Sequence, residues 1–180
     1  AHSIIVTDVP NDQGGRVYVN FRSSYLDLLY SNQDSIRTMV YTLERLDVES
    51  WIVVQSFAGY GSDEYTIEAT TLQNNILTEY RIIFQIAEDS FFSYENGFGE
   101  SIDNIVPTVP TGLMATISNC SAMLSWNDPV DVDFQYFSLF RDGQLLDYTI
   151  ESTYTENVYG EFEYYLTTTD SNGNESDQSK

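Results

Sequence analysis

The chain has 180 residues with 28 acidic against 7 basic side chains, a formal net charge of -21, so phosphate backbones and anionic membrane surfaces are poor partners. Hydrophobic residues make up 42% and aromatic residues 14%, enough to fill globular cores, but no apolar run approaches the roughly 18–20 residues that a membrane span needs. His2 is the only histidine and Cys120 the only cysteine, which removes the central member of any serine or cysteine triad, any histidine zinc site and any intrachain disulfide.

In chain order, residues 3–7 (SIIVT) read as a short strand and PNDQGG at 10–15 as a turn. RVYVNFR alternates, with Val17, Val19 and Phe21 toward a core and Arg16, Tyr18, Asn20 and Arg22 outward. SSYLDLLYSNQDSI follows as an insertion whose apolar residues Tyr25, Leu26, Leu28, Leu29 and Tyr30 have helical spacing. It suits a short helix closing one end of the fold, with a partner-binding loop as the alternative. TMVYTLER at 38–45 points Tyr41 and Leu43 inward; ESWIVVQSF is apolar on both sides and is expected to be covered on both faces. DEYTIEATT is the next strand, TEYRIIFQIAED turns Tyr80, Ile82, Phe84 and Ile86 inward, and FFSYENGFGES closes the first half. In SIDNIVPTVPTG, two prolines three apart mark a semi-rigid boundary, giving domains 1–104 and 105–180.

The second half repeats the pattern. Ala122, Leu124 and Trp126 alternate in CSAMLSW, and Cys120 shares their parity, so it is expected to be a small buried core residue. Phe137 and Leu139 precede an Asp142-Gly143 turn in YFSLFRDG; QLLDYTI and STYTEN follow. In GEFEYYLTTTDSNGNES, Phe162, Tyr164, Leu166 and Thr168 share one face, Glu163, Tyr165, Thr167 and Thr169 the other, and Asn172-Gly173 supplies a turn.

LSW, then a strand ending RDG, then FEYYLTTTDSNGNES resembles a fibronectin type III domain over residues 112–176, as found in secreted bacterial modular and surface proteins. DVPNDQGGRVYVNFRSS resembles the opening of such modules more weakly. The resemblance implies an all-β chain of two tandem immunoglobulin-like sandwiches stacked end to end. The first would carry a long insertion between its second and third strands and the second a truncated last strand. It also implies that Trp126 is the core residue of a second strand, with Phe21, Tyr41 and Phe84 playing the parts of Trp126, Phe137 and Leu166. Tyr80 would be the family's corner tyrosine, hydrogen-bonded back to the chain, with Phe162 at the matching place in the second half.

The function expected is non-enzymatic: an extracellular or cell-surface spacer and adhesive surface whose partners are other protein modules or identical subunits. One alternative is a filament subunit in which SIIVTDV fills the edge left by the short last strand of a neighbour. A second is an accessory carbohydrate-binding module using outward tyrosines such as Tyr18 and Tyr165. No cofactor is required by the sequence, and calcium is the one candidate, held at the domain junction by Asp103, Asp128, Asp131, Asp133, Asp170 and Asn172, with ordinary acidic turns as the alternative. Asn119-Cys120-Ser121 and Asn174-Glu175-Ser176 match the glycosylation sequon, the first placed within a strand.

Overall fold

A computed structural model describes residues 3–31, 39–86, 89–92 and 95–180; His2 and residues 32–38 of the insertion and the strand after it lie outside that set. The chain divides into two compact units, Ala1–Asn104 and Ile105–Lys180.

The strands of the first unit are β1 (Ile4–Asp8), β2 (Arg16–Arg22), β3 (Met39–Asp47), β4 (Ser50–Ala58), β5 (Glu64–Thr70), β6 (Thr78–Ile86), β7 (Asp89–Phe92) and β8 (Gly97–Gly99), with one helix, α1 (Tyr25–Ser31), after β2. They form two antiparallel sheets, β1-β2-β5 and β4-β3-β6, with β7 and β8 both pairing to the outer side of β6. Both sheets feed one core. Val17, Val19 and Phe21 of β2 and Tyr65, Ile67 and Ala69 of β5 meet Met39, Tyr41 and Leu43 of β3 and Tyr80 and Ile82 of β6. That is the sheet-on-sheet packing of a β-sandwich, and it follows from the two-residue alternation read in the sequence.

The second unit contains β9 (Met114–Ser118), β10 (Ser121–Ser125), β11 (Phe134–Arg141), β12 (Gln144–Thr149), β13 (Thr153–Asn157) and β14 (Tyr164–Asp170). Its sheets, β9-β10-β13 and β12-β11-β14, repeat the first unit's order strand for strand. The core is smaller: Leu124, Trp126, Phe137, Leu139 and Leu166. The strand order and two-layer packing are consistent with a fibronectin-like or immunoglobulin-like sandwich.

Four local expectations change. Strand β4 is an edge strand, not one covered on both faces: Ile52 is 45% and Val53 57% exposed, and a register shift opposite Leu43/Glu44 breaks its alternation. Cys120 is exposed, not a core residue. With Asn119 it forms the turn of the β9–β10 hairpin, both at positive φ (50° and 62°), so the parity of β10 stops short of it and the first sequon lies in a turn. Strand β14 begins at Tyr164, leaving Phe162 outside it beneath the Arg141 guanidinium, 4.9 Å from the ring centre.

The fourth change concerns which residues correspond. In the first unit Arg45, Leu43 and Tyr41 of β3 pair with Tyr80, Ile82 and Phe84 of β6. In the second, Arg141, Leu139 and Phe137 of β11 pair with Tyr164, Leu166 and Thr168 of β14. Aligned on β3 and β11, the counterpart of Tyr80 is Tyr164, that of Leu166 is Ile82, and Phe84 corresponds to Thr168.

Candidate functional site

Among the described residues, four places concentrate polar chemistry. The first is the insertion. Ser24 opens α1 by accepting from the Leu26 N–H through its Oγ at 3.3 Å, and the Asp27 N–H bonds the Ser24 carbonyl. This turns Asp27, only 2% exposed, into the top of the core. Its Oδ2 accepts from the Tyr65 hydroxyl at 2.5 Å and the Tyr41 hydroxyl at 3.3 Å, and its Oδ1 from the Gly61 N–H at 3.2 Å. Burial is the main cause that raises both tyrosines above their ordinary pKa, with Asp27 adding to it. A side chain at Gly59 would meet the Asp27 carboxylate at 2.6 Å, so the backbone approach there requires glycine. Part of the insertion is thus tied down as the end of the sandwich. The sequence reading missed Asp27 because a carboxylate inside an apolar helical segment reads as its solvent face.

The second place is the corner between the fifth and sixth strands of the first unit, where the Tyr80 hydroxyl donates to the Thr70 carbonyl at 2.8 Å. Arg45 Nη1 donates to the same carbonyl at 2.9 Å while its Nε bonds Asp47 at 2.7 Å. The second unit turns the matching pair onto a side chain: Tyr164 and Arg141 bond the two oxygens of Glu156, at 2.7 and 2.6 Å. Burial first, then the Glu156 hydrogen bond, pushes Tyr164 up to about 12; burial does the same for Tyr80.

The third is the set of acidic residues read as calcium ligands. Asp131 accepts from the Thr108 N–H at 3.0 Å and hydroxyl at 2.9 Å, and Asp128 accepts from the Ser152 hydroxyl. Asp170 is fully buried, its Oδ1 accepting from the N–H groups of Asn172 and Asn174 and its Oδ2 from the Asn174 amide. Asp170 thus closes its own loop, while Asp131 and Asp128 tie theirs to Thr108 and to Ser152. The structure does bring Asp133 and Asp170 together, with carboxylate oxygens within 4.8 Å. Asp103 is buried in the first unit, bridged to Gln13, and Asn172 is exposed.

The fourth is the outward aromatic surface. On the β12-β11-β14 sheet, Tyr136 and Tyr148 meet edge to face at 5.2 Å and Phe140 stacks on Tyr165 at 4.8 Å. Tyr136, Tyr148, Thr149 and Ile150 line an open cleft of about 580 Å³. On the first unit, Trp51 and Phe92 flank the Arg81 guanidinium at 4.1 and 5.0 Å, and Arg81 pairs with Glu44 at 2.6 Å. Of the tyrosines singled out from sequence, Tyr165 lies in the Phe140 stack and Tyr18 is half-buried on β2.

The edges bear on the filament alternative. Residues 175–179 run along the free edge of β14, with the N–H groups of Ser176 and Ser179 donating to the carbonyls of Thr168 and Leu166. The hydroxyls of the same serines accept from the Thr168 and Leu166 N–H groups at 2.9 and 3.0 Å. Serine oxygens stand in for the carbonyls of a partner strand, and β14 has these donors satisfied. The proposed donor, SIIVTDV, supplies β1, paired with β2 from Ile4↔Phe21 to Asp8↔Val17.

These features define an all-β chain of sandwich type, with its polar groups largely spent on fastening loops. No family model and no curated relative matches the sequence. Among solved structures, the crystal structure of chicken CNTN1 FN1-FN3 domains is similar at a TM-score of 0.39 and 10% identity over 99% of this chain. The match spans 60% of that structure's length.

Proposed function

We propose that the chain is a pair of tandem fibronectin type III-like sandwiches forming a non-enzymatic, extracellular structural segment that works as spacer and protein-interaction surface. The supporting observation is the repeated frame: the same strand order in both units, with an Arg–Tyr pair at the same register fastening the same corner. The polar clusters described above fasten loops, and the acidic surface selects against nucleic acid, leaving neutral or basic protein surfaces as partners. Scanning calorimetry of the whole chain tests the two-module reading. Two transitions are expected, and one cooperative transition that resists separation by core variants of either unit would overturn it.

A second reading, a carbohydrate-binding module, is favoured by the Tyr136–Tyr148 cleft, since Tyr148 is 59% exposed. Retardation in neutral polysaccharide gels, lost in Tyr148→Ala, would establish it; unchanged mobility would remove it.

A further inference from the structure

The β9-β10-β13 face of the second unit differs in kind from its counterpart in the first. On the first unit, the outer side of β1-β2-β5 is laced by ion pairs, Arg16–Glu68 at 2.7 Å and Arg22–Glu64 at 3.5 Å. In the second, the outward positions include Met114, Thr116 and Ser118 on β9, Met123 on β10, and Thr153 and Thr155 on β13. None of these three strands carries a charge except at Glu156, whose carboxylate bonds Tyr164 and Arg141. In a chain of net charge -21, so large a neutral face is unexpected.

Strand β9 is also unpartnered in three directions. It is an edge strand, and each of its five residues is exposed. Met114 and Met123 are 66% and 51% exposed on the outer face. Ile117, paired to the buried Ala122 and so turned to the inner side, is 65% exposed. The first unit shows why. There Gly97 and Gly99 of β8 lie so close to Ile4 and Val6 of β1 that an added Cβ would fall 2.4 and 2.3 Å from them, and both residues are half-buried. In the second unit, residues 175–179 occupy that side with Ser176 and Ser179 spent on the β14 backbone, and the inner side of β9 stays open.

We propose that β9 is a self-association edge, pairing antiparallel with β9 of a second copy about a two-fold axis to join two three-stranded sheets into one of six. This deepens the proposed interaction role by naming the partner as a second copy. The argument for that occupant is charge: two chains of this net charge repel over most of their surface, and an uncharged edge bounded by uncharged strands lets backbones approach without opposing like charges. The other long uncharged edge, β4, is interrupted by its bulge, a feature that blunts edge pairing. Centred on the middle residue of β9, the pairing sets Thr116 against its own copy and Met114 against Ser118. A five-residue edge falls in the small class of interfaces, below about 1,200 Å², so the association is weak and reversible.

Sedimentation velocity of the whole chain is the test. Raising salt from about 0.01 M to about 1 M shortens the screening length from about 30 Å to about 3 Å, so dimer is expected to increase with salt. Thr116→Lys and Thr116→Glu each place like charges across the axis and are expected to weaken dimerisation at least about tenfold, since such juxtapositions cost several kcal/mol. An equimolar mixture of the two variants pairs opposite charges and is expected to restore it. Val53→Lys on β4 leaves association unchanged. A chain monomeric at all salts, Thr116 variants that dimerise like the parent, a mixture that fails to recover, or loss through Val53→Lys would each overturn the proposal. Circular dichroism and the calorimetric transitions are read on the same samples. Intact folding with no dimer sinks this inference alone, whereas loss of the two-transition pattern sinks the module reading.

Discussion

The corner of the first unit and the corner of the second use the same two side chains at the same register and differ in what they hold. Arg45 and Tyr80 converge on a backbone carbonyl, that of Thr70; Arg141 and Tyr164 converge on a carboxylate, that of Glu156. A carbonyl is present whatever the residue, so the first corner survives substitution of Thr70, while the second depends on one glutamate. The difference extends to the cores. Among the described residues, the first unit buries twelve in its main cluster and adds the Asp27 knot, while the second buries five and has no counterpart of the insertion. One frame is therefore stabilised unequally: the first unit has the larger core and an added polar knot, and the second has a smaller core and a corner that rests on one side chain.

The largest effect is expected at Trp126. Trp126→Ala removes the largest side chain of a five-member cluster, about 3–5 kcal/mol for a buried aromatic, and should unfold the second unit while leaving the first. The chain's two tryptophans, Trp51 and Trp126, fall in different units. Trp51 fluorescence during urea unfolding of this variant then reports the first unit alone, and loss of its transition would show that the units do not fold separately.

Asp27→Ala comes next and acts on the first unit only. It leaves the Tyr65 and Tyr41 hydroxyls and the Gly61 N–H without their acceptor in a buried site, at roughly 1–3 kcal/mol for an orphaned group. The Trp51 transition should shift to lower urea, with calorimetry showing the second unit unmoved. Equal shifts in both units would deny the knot its local role.

Alkaline titration sharpens the comparison of the corners. The folded pKa of both Tyr80 and Tyr164 lies at about 12, above the ordinary 10.0. Their contribution is therefore complete below pH 10 and is lost as pH rises toward about 12. Tyrosine absorbance should place Tyr80 and Tyr164 among the late-titrating tyrosines, with Tyr41, Tyr65 and Tyr154, and the matching Tyr→Phe change should remove each from that set, at a stability cost of about 0.5–1.5 kcal/mol for one hydrogen bond. Simple titration at 10.0 in the folded protein would mean that neither corner is closed.

Much of this frame is legible in the sequence because a half-buried strand alternates, and Val17, Val19 and Phe21 or Ala122, Leu124 and Trp126 can be assigned to an inner face by parity alone. Parity fixes the face but not the position along the strand. EFEYY offers aromatic residues at 162 and 164 with the same parity, and only pairing with Arg141 shows that Tyr164 holds the corner. The same limit explains Cys120, whose parity matches β10 although the turn intervenes, and β4, whose bulge no single strand's pattern records. Asp27 was hidden for a different reason: its partners lie 14, 34 and 38 residues away, and a long-range polar knot leaves no periodic trace.

The smallest effect is expected from Trp126→Phe, which makes the second core resemble the first. Phe21 holds this place in the first unit, 5.3 Å from Tyr41, much as Trp126 stands 5.7 Å from Phe137. The indole adds apolar area but also a buried Nε1–H with no hydrogen-bond partner among the described residues. Losing part of the ring costs on the order of 25 cal/mol per Å² of apolar surface, while removing an unpaired buried donor returns about 1–3 kcal/mol. The two nearly cancel, so the unfolding midpoint of the second unit should stay within about 1 kcal/mol of the parent. The reverse exchange, Phe21→Trp, should cost more, because it forces a larger ring with a new donor into a cluster already closed by Tyr41 and Tyr65. Equal and large losses for both exchanges would mean that the tryptophan's size, and not its unpaired donor, sets its worth in the smaller core.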